Sequence, residues 1–244
     1  MLNSFLKIIG VFFTLALAGC VTTGGQFVGE LASSRQSVGV YSGMPNEFHN
    51  MRVGLTVFNN SYTKFGTASW DMIGYAERTA QAQLKRQGVP RVEVIRTGGR
   101  ITETLSDTGV FADKRPEVFD AVFQVAKAQG LQKVALITAD YYTEGPADFL
   151  PPYGIWTAGA LGSQRPPVLY TKAMISFYDV ATRKSEGVYA LSSQPAFGKA
   201  PTPFSEVTFK QNASQYTSAE RRLFERALKT QLNIAIQTAL RSAP

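Results

Sequence analysis

The chain of 244 residues has one cysteine, Cys20, and one histidine, His49. A disulfide needs two thiols and a histidine-rich zinc site more than one imidazole, so both are excluded within a single chain, and a serine triad would have to use His49 as its base. His49 sits in Asn46-Glu47-Phe48-His49-Asn50 and reads as structural. Other signatures are missing too: there is no Gly-x-Ser-x-Gly elbow, no phosphate loop and no His-Glu-x-x-His. Gly98-Gly99-Arg100 has no helix opening directly behind it and reads as a turn. Basic residues are scattered apart from short clusters such as Lys85-Arg86, Lys114-Arg115, Arg183-Lys184 and Arg221-Arg222, which gives no continuous nucleic-acid footprint. Long apolar runs are also lacking. The run from Ile8 to Leu17 covers ten residues, and a membrane-spanning helix needs roughly 20.

What the amino-terminal segment does contain is a secretion signal. Lys7 precedes the apolar run, which ends in two small residues and Cys20 and is followed by Thr22-Thr23-Gly24-Gly25. Leu17-Ala18-Gly19-Cys20 resembles the lipobox of bacterial lipoproteins. The resemblance implies cleavage before Cys20, a diacylglycerol on its sulfur and a fatty acyl group, such as palmitate, on its new amino terminus; the alternative is an ordinary cleaved signal peptide with an incidental cysteine. Val21 rather than aspartate after the cysteine implies sorting to the outer membrane, with the domain facing the periplasm. Two acyl attachments make a stable anchor where one chain would be marginal. No cofactor beyond the covalent lipid on Cys20 is expected. Loss of residues 1–19 removes only Lys7 from the charged set, so 25 Lys and Arg become 24 against 18 acids, a balance of +6 in a chain of 225 residues. That length can bury a substantial core.

Residues 20–50 read as the acylated cysteine and a tether, rich in Gly, Ser and Thr, and 51–244 as a single domain. The first strand is expected over Arg52–Phe58, where Val53, Leu55 and Val57 alternate with less apolar residues. A helix capped by Ser69 is expected from Trp70 to Gln87, with Ile73, Ala76, Ala80 and Leu84 on one face. A short strand Val92–Ile95 follows. Pro116 opens a second helix whose stripe includes Val118, Phe119, Val122, Phe123 and Ala126, and Gly130 ends it. Lys133–Tyr142 contains the continuous run Val134-Ala135-Leu136-Ile137 expected of a central strand. Thr143–Pro167 carries five prolines and four glycines and reads as a long loop. Val168–Val180 and Gly187–Gln194 form an antiparallel hairpin, half-buried on one side. After an irregular Pro195–Gln215 the chain closes with a helix of about 22 residues, opened by the capping box Thr217-Ser218-Ala219-Glu220.

The fold class expected is therefore α/β, a mixed sheet in the order β-α-β-α-β-(long loop)-β-β-α. Element order, together with Ile175-Ser176-Phe177-Tyr178-Asp179-Val180-Ala181-Thr182-Arg183-Lys184 and its Asp-x-x-Thr turn, is similar to the fold of the TolB amino-terminal domain, the lipoprotein activators of peptidoglycan synthases and the curli-secretion channel lipoprotein. The loop segment Phe149-Leu150-Pro151-Pro152-Tyr153-Gly154-Ile155-Trp156 concentrates aromatic and apolar groups, of which Phe149, Leu150, Tyr153, Ile155 and Trp156 are candidates for partner or membrane contact or, alternatively, for a lid packed over the sheet edge. Asp140, Glu144 and Asp148 are the best-placed carboxylates for acid/base work, without any fixed separation. The function expected is that of a non-enzymatic, outer-membrane-anchored interaction or assembly module with an envelope protein partner and an oligomeric state left open. The alternatives are a subunit of an export channel and an envelope hydrolase.

Overall fold

Val38 and Val40 leave one side of β1 (Ser37–Ser42) and Tyr41 the other, and every residue of the strand is buried. A short strand covered on both faces belongs in the middle of a sheet. Accordingly β1 pairs in parallel with β4 (Arg91–Val94) on one edge and with β5 (Lys133–Ala139) on the other. Gly39 permits this packing, since a Cβ there would fall 2.4 Å from Ile95 Cδ1. The computed structural model of the protein describes residues 24–54, 60–102, 114–139, 152–159, 166–192 and 203–241. From Gly24 onward the expected tether is instead part of the fold, because α1 (Gly24–Ser33), β1 and the first residues of β2 (Glu47–Val53) occupy it; residues 20–23 lie outside the described set. Phe27, Val28 and Leu31 are buried in the core, with the Phe27 ring 5.0 Å from that of Phe177. Burial of that apolar stripe outweighs a composition that suggests mobility.

The fold is α/β, built on a mixed eight-stranded sheet. β7 (Val168–Asp179) is its hub. It runs antiparallel to β5 through Ala173–Asp179, to β6 (Tyr153–Ala158) through Val168–Thr171, and to β8 (Ser185–Ser192) through Lys172–Tyr178. β6 then pairs in parallel with β2, which carries β3 (Ser61–Gly66) antiparallel on its far edge. Two expectations change here. The proline-rich stretch holds an internal strand, β6, immediately after Pro151-Pro152. The hairpin strand β7 is buried on both faces up to Asp179, with helices over one face along its length and over the other at Tyr178. The first expected strand also shifts toward the amino terminus: β2 ends at Val53, and residues 55–59 fall outside the described set.

On one face, the main core joins the sheet to α1, α2 (Met72–Arg86) and α5 (Ser218–Ala239). On the other, Phe119, between α3 (Arg115–Val118) and α4 (Asp120–Ala128), and Val122, Phe123 and Ala126 of α4 pack on Tyr41, Val134, Leu136 and Tyr178. Ser69 does not cap α2. It lies in a 3-10 turn, Ala68–Trp70, and Asp71, at φ 48, precedes the helix without a side-chain cap. The capping box of α5 is present as read, with Thr217 and Glu220 each accepting from the other's backbone N–H.

Candidate functional site

Alternation along β2, β6 and β7 divides their side chains between two environments. Phe48, Tyr153, Ile155 and Leu169 belong to the main core, where the Phe48 ring stacks on Phe224 of α5 at 4.8 Å. Glu47, His49 and Met51 of β2, Tyr62 and Lys64 of β3, Trp156 of β6 and Tyr170 of β7 take the opposite face. The second hydrophobic cluster contains no residue of β2, β3 or β6, so among the described residues no helix core covers this half of the sheet. Trp156 and Met51 are half-buried there and Tyr62 is 53% exposed.

His49 is the polar centre of that face. Its Nδ1 is hydrogen-bonded to the Tyr62 hydroxyl, and its Nε2, which has no hydrogen-bond partner among the described residues, lies 3.7 Å from the Glu47 carboxylate. Lys64 engages Glu47 at 2.8 Å. Burial pushes the imidazole down to about 4; Glu47 opposes that shift and Lys64 adds to it. The ring is therefore neutral at physiological pH, and its proton affinity lies well below the neutral range suited to a general base. The Tyr170 hydroxyl beside it is fully buried, and burial raises its pKa well above that of an ordinary phenol. Gly154 separates the two strands here. A Cβ at that position would lie 2.2 Å from the His49 carbonyl oxygen and 2.7 Å from the Tyr170 hydroxyl, so only glycine lets β2 and β6 pair.

The sequence candidates fall in different places. Tyr153 and Ile155 are core residues, and a contact role for them is overturned by their burial. The Tyr153 hydroxyl donates to the Pro45 carbonyl oxygen and pairs with Thr67 Oγ1, both at 2.8 Å, and burial raises its pKa. The lid reading also fails for these two, which belong to an internal strand. Trp156, one position further, is the candidate in β6 that leaves the core. Phe149, Leu150, the carboxylates Asp140, Glu144 and Asp148, and the lipobox Leu17, Ala18, Gly19 and Cys20 lie outside the described residues. Sequence reasoning overlooked His49, Tyr62 and Tyr170 as neighbours, since no local spacing announces a cluster assembled across three strands.

A second polar centre closes the opposite end of β7. Lys133 reaches Asp179 at 3.0 Å and Glu186 at 2.6 Å. Burial alone would lower the lysine, but those two hydrogen bonds hold it above its usual value. Asp179 accepts from the Thr182 backbone N–H at 2.8 Å, and this bond, together with Lys133, brings its carboxyl down to about 2. The Asp-x-x-Thr turn is thus a pinned β-turn beside a cleft of about 340 Å³ bounded by Lys127, Leu131 and Lys133. Among the described residues no group of three His, Cys, Asp or Glu side chains could hold a metal ion, and no helix is long and apolar enough to cross a membrane.

No protein-family model matches the chain, and no curated protein matches it. The element order that suggested the TolB-like resemblance also differs, with three strands rather than one before α2. Two solved structures of PelC dodecamers from Paraburkholderia phytofirmans are similar to this chain. They share 11% and 10% identity over 85% and 86% of this chain, and 90% and 91% of theirs. Their TM-scores are 0.32 and 0.31, and a likeness of that degree carries no inference about what this protein does.

Proposed function

We propose that this chain is a lipoprotein of the outer membrane, anchored through Cys20 with its domain in the periplasm, and that it acts as a non-enzymatic interaction or assembly module of the cell envelope. The observation that carries the reading is Leu17-Ala18-Gly19-Cys20 at the end of the ten-residue apolar run Ile8–Leu17, with Cys20 the only thiol in the chain. The partner surface is assigned to the outer face of β3, β2 and β6 around Trp156, Tyr62 and Met51, where aromatic and thioether side chains are partly open to solvent. Amphipathic aromatics at such positions are the usual anchors of protein contacts. The one imidazole of that face is held neutral and buried, which suits packing better than proton transfer.

Cys20→Ala tests the anchor: the precursor should escape the lipoprotein signal peptidase and fail to incorporate labelled palmitate, and unchanged processing and fractionation would overturn the address. Cross-linking from Trp156 in intact cells tests the surface. The expected result is a discrete envelope protein adduct. A homogeneous ring-sized particle in detergent, cross-linked only to itself through Trp156, would replace the adaptor reading with that of a channel subunit.

A further inference from the structure

A buried carboxylate on α2 is approached by more positive charge than it needs. Glu77 is fully buried; its Oε1 accepts the Ser42 backbone N–H at 3.1 Å and Arg100 Nη1 at 2.6 Å, and its Oε2 accepts Arg96 Nη1 at 2.8 Å. Arg100 Nη1 also donates to the Ser42 carbonyl oxygen at 3.3 Å, and its guanidinium stands 5.4 Å from the centre of the Tyr41 ring. The Tyr41 hydroxyl accepts from Ile101 N–H at 2.7 Å and donates to the Ile101 carbonyl oxygen at 3.2 Å. Both arginines are therefore aimed by elements of the core rather than by their own loop. An isolated buried carboxylate is strongly disfavoured, and one guanidinium would neutralise it. Two leave a net charge of +1 among the described residues of the site.

The surplus is accessible. Arg96 spends a single N–H on Glu77, its Nε and Nη2 have no acceptor among the described residues, and its side chain is 63% exposed. Guanidinium presents its donors as a rigid planar fork that matches the paired oxygens of a carboxylate or phosphate. A pocket of about 160 Å³ lies between Arg96, Arg100, Tyr41 and Thr97. Gly99 also lines it, beside Gly98, and a Cβ at either glycine would meet nothing within 4 Å. It stands just beyond the carboxyl ends of the parallel strands β1 and β4, the position at which open α/β sheets receive ligands.

We propose that Arg96 and Arg100 form a binding site for the oxyanion of a small acidic ligand, a carboxylate or a phosphate, with Glu77 as the positioning residue that holds both guanidinium groups in place. The site does not depend on the lipid anchor. The test is titration of the full chain in detergent micelles with inorganic phosphate and, separately, with glucuronate at constant ionic strength, read by calorimetry and by the amide resonances of Gly98 and Gly99. The expected result is saturable binding of at least one probe with both glycine amides shifting. Preference for phosphate identifies a phosphoryl ligand and preference for glucuronate an acidic sugar. Arg96→Gln should weaken binding by about tenfold or more, the loss of one charge-assisted fork, while the thermal midpoint stays nearly unchanged because Arg100 still pairs with Glu77. Arg96→Lys, which keeps the charge but not the fork, should fall between the two. Absence of saturable binding by either probe, or binding that Arg96→Gln leaves intact, overturns the proposal and leaves the arginines as a clamp for Glu77 alone.

Discussion

Replacing His49 with glutamine should flatten the acid limb of the stability curve between about pH 6.5 and pH 4. The imidazole is titrated near 6.5 when solvated and near 4 when folded. Above 6.5 it is neutral in both states and contributes no pH dependence. As the pH falls through 6.5 the unfolded chain takes up a proton that the folded chain refuses, so stability is lost progressively, and the loss is complete once the folded-state ring also protonates near 4. A one-proton difference is worth about 1.4 kcal/mol per pH unit, so an interval of about 2.5 units amounts to roughly 3 kcal/mol. That is a large part of a domain stability of about 5–15 kcal/mol. Denaturant titrations followed by the fluorescence of Trp70 and Trp156, repeated across this range, would measure it. Because the chain has one histidine, a tag-free sample also gives a single imidazole resonance whose midpoint can be followed directly. His49→Gln should keep only the more acidic losses, those of Glu220 and of Asp179, whose carboxyl titrates near 2. Lys64→Met should move the ring the other way, because it frees the Glu47 carboxylate to support the imidazolium at 3.7 Å. Wild-type stability that is level between pH 6.5 and 4, or an acid slope retained by the glutamine variant, would refute the reasoning.

The alternation along β6 predicts opposite outcomes for adjacent residues: Ile155→Ala should cost about 2–5 kcal/mol as a cavity in the core, whereas Trp156→Ser should cost much less in denaturant midpoint and should instead remove partner cross-linking. Gly154→Ala forces a methyl group against the His49 carbonyl oxygen and should cost about 2–3 kcal/mol, with amide exchange rising first in β2 and β6. Thr217→Ala removes one half of the α5 capping box and should lower stability by about 1 kcal/mol in urea titrations, with an unchanged m-value.

Features written in contiguous residues were readable from the chain. The capping box at Thr217 and Glu220, the apolar run Val134–Ile137 and the Asp179–Thr182 turn are each set by side chains a few positions apart, and each is found in the structure. Those that depend on distant partners were not. β6 is hidden by the two prolines before it and by Gly154, yet that glycine is required by the approach of His49 and Tyr170 from other strands. β1 contains Gly39 and two serines, a composition that suggests a linker until β4 and β5 close on it from more than 50 residues further along the chain. β7 alternates as if one face were wet, but Tyr170, Lys172 and Ser176 on the more polar face are all buried. The same limit applied to the candidate sites. Glu77 reads as a polar position in an amphipathic helix, and only the return of the loop after β4 shows that it collects two arginines.

The early start of α1 has a consequence for how an anchored molecule would stand. With acylation at Cys20, three residues separate the lipidated position from Gly24, the first residue of α1. A fully extended chain spans at most about 3.6 Å per residue, so the four steps from Cys20 to Gly24 cannot exceed roughly 14 Å. An anchor at Cys20 would therefore hold the start of α1 within that distance of the lipid headgroups. Under the proposed anchoring, a partner fixed farther away would have to approach the membrane to reach the domain.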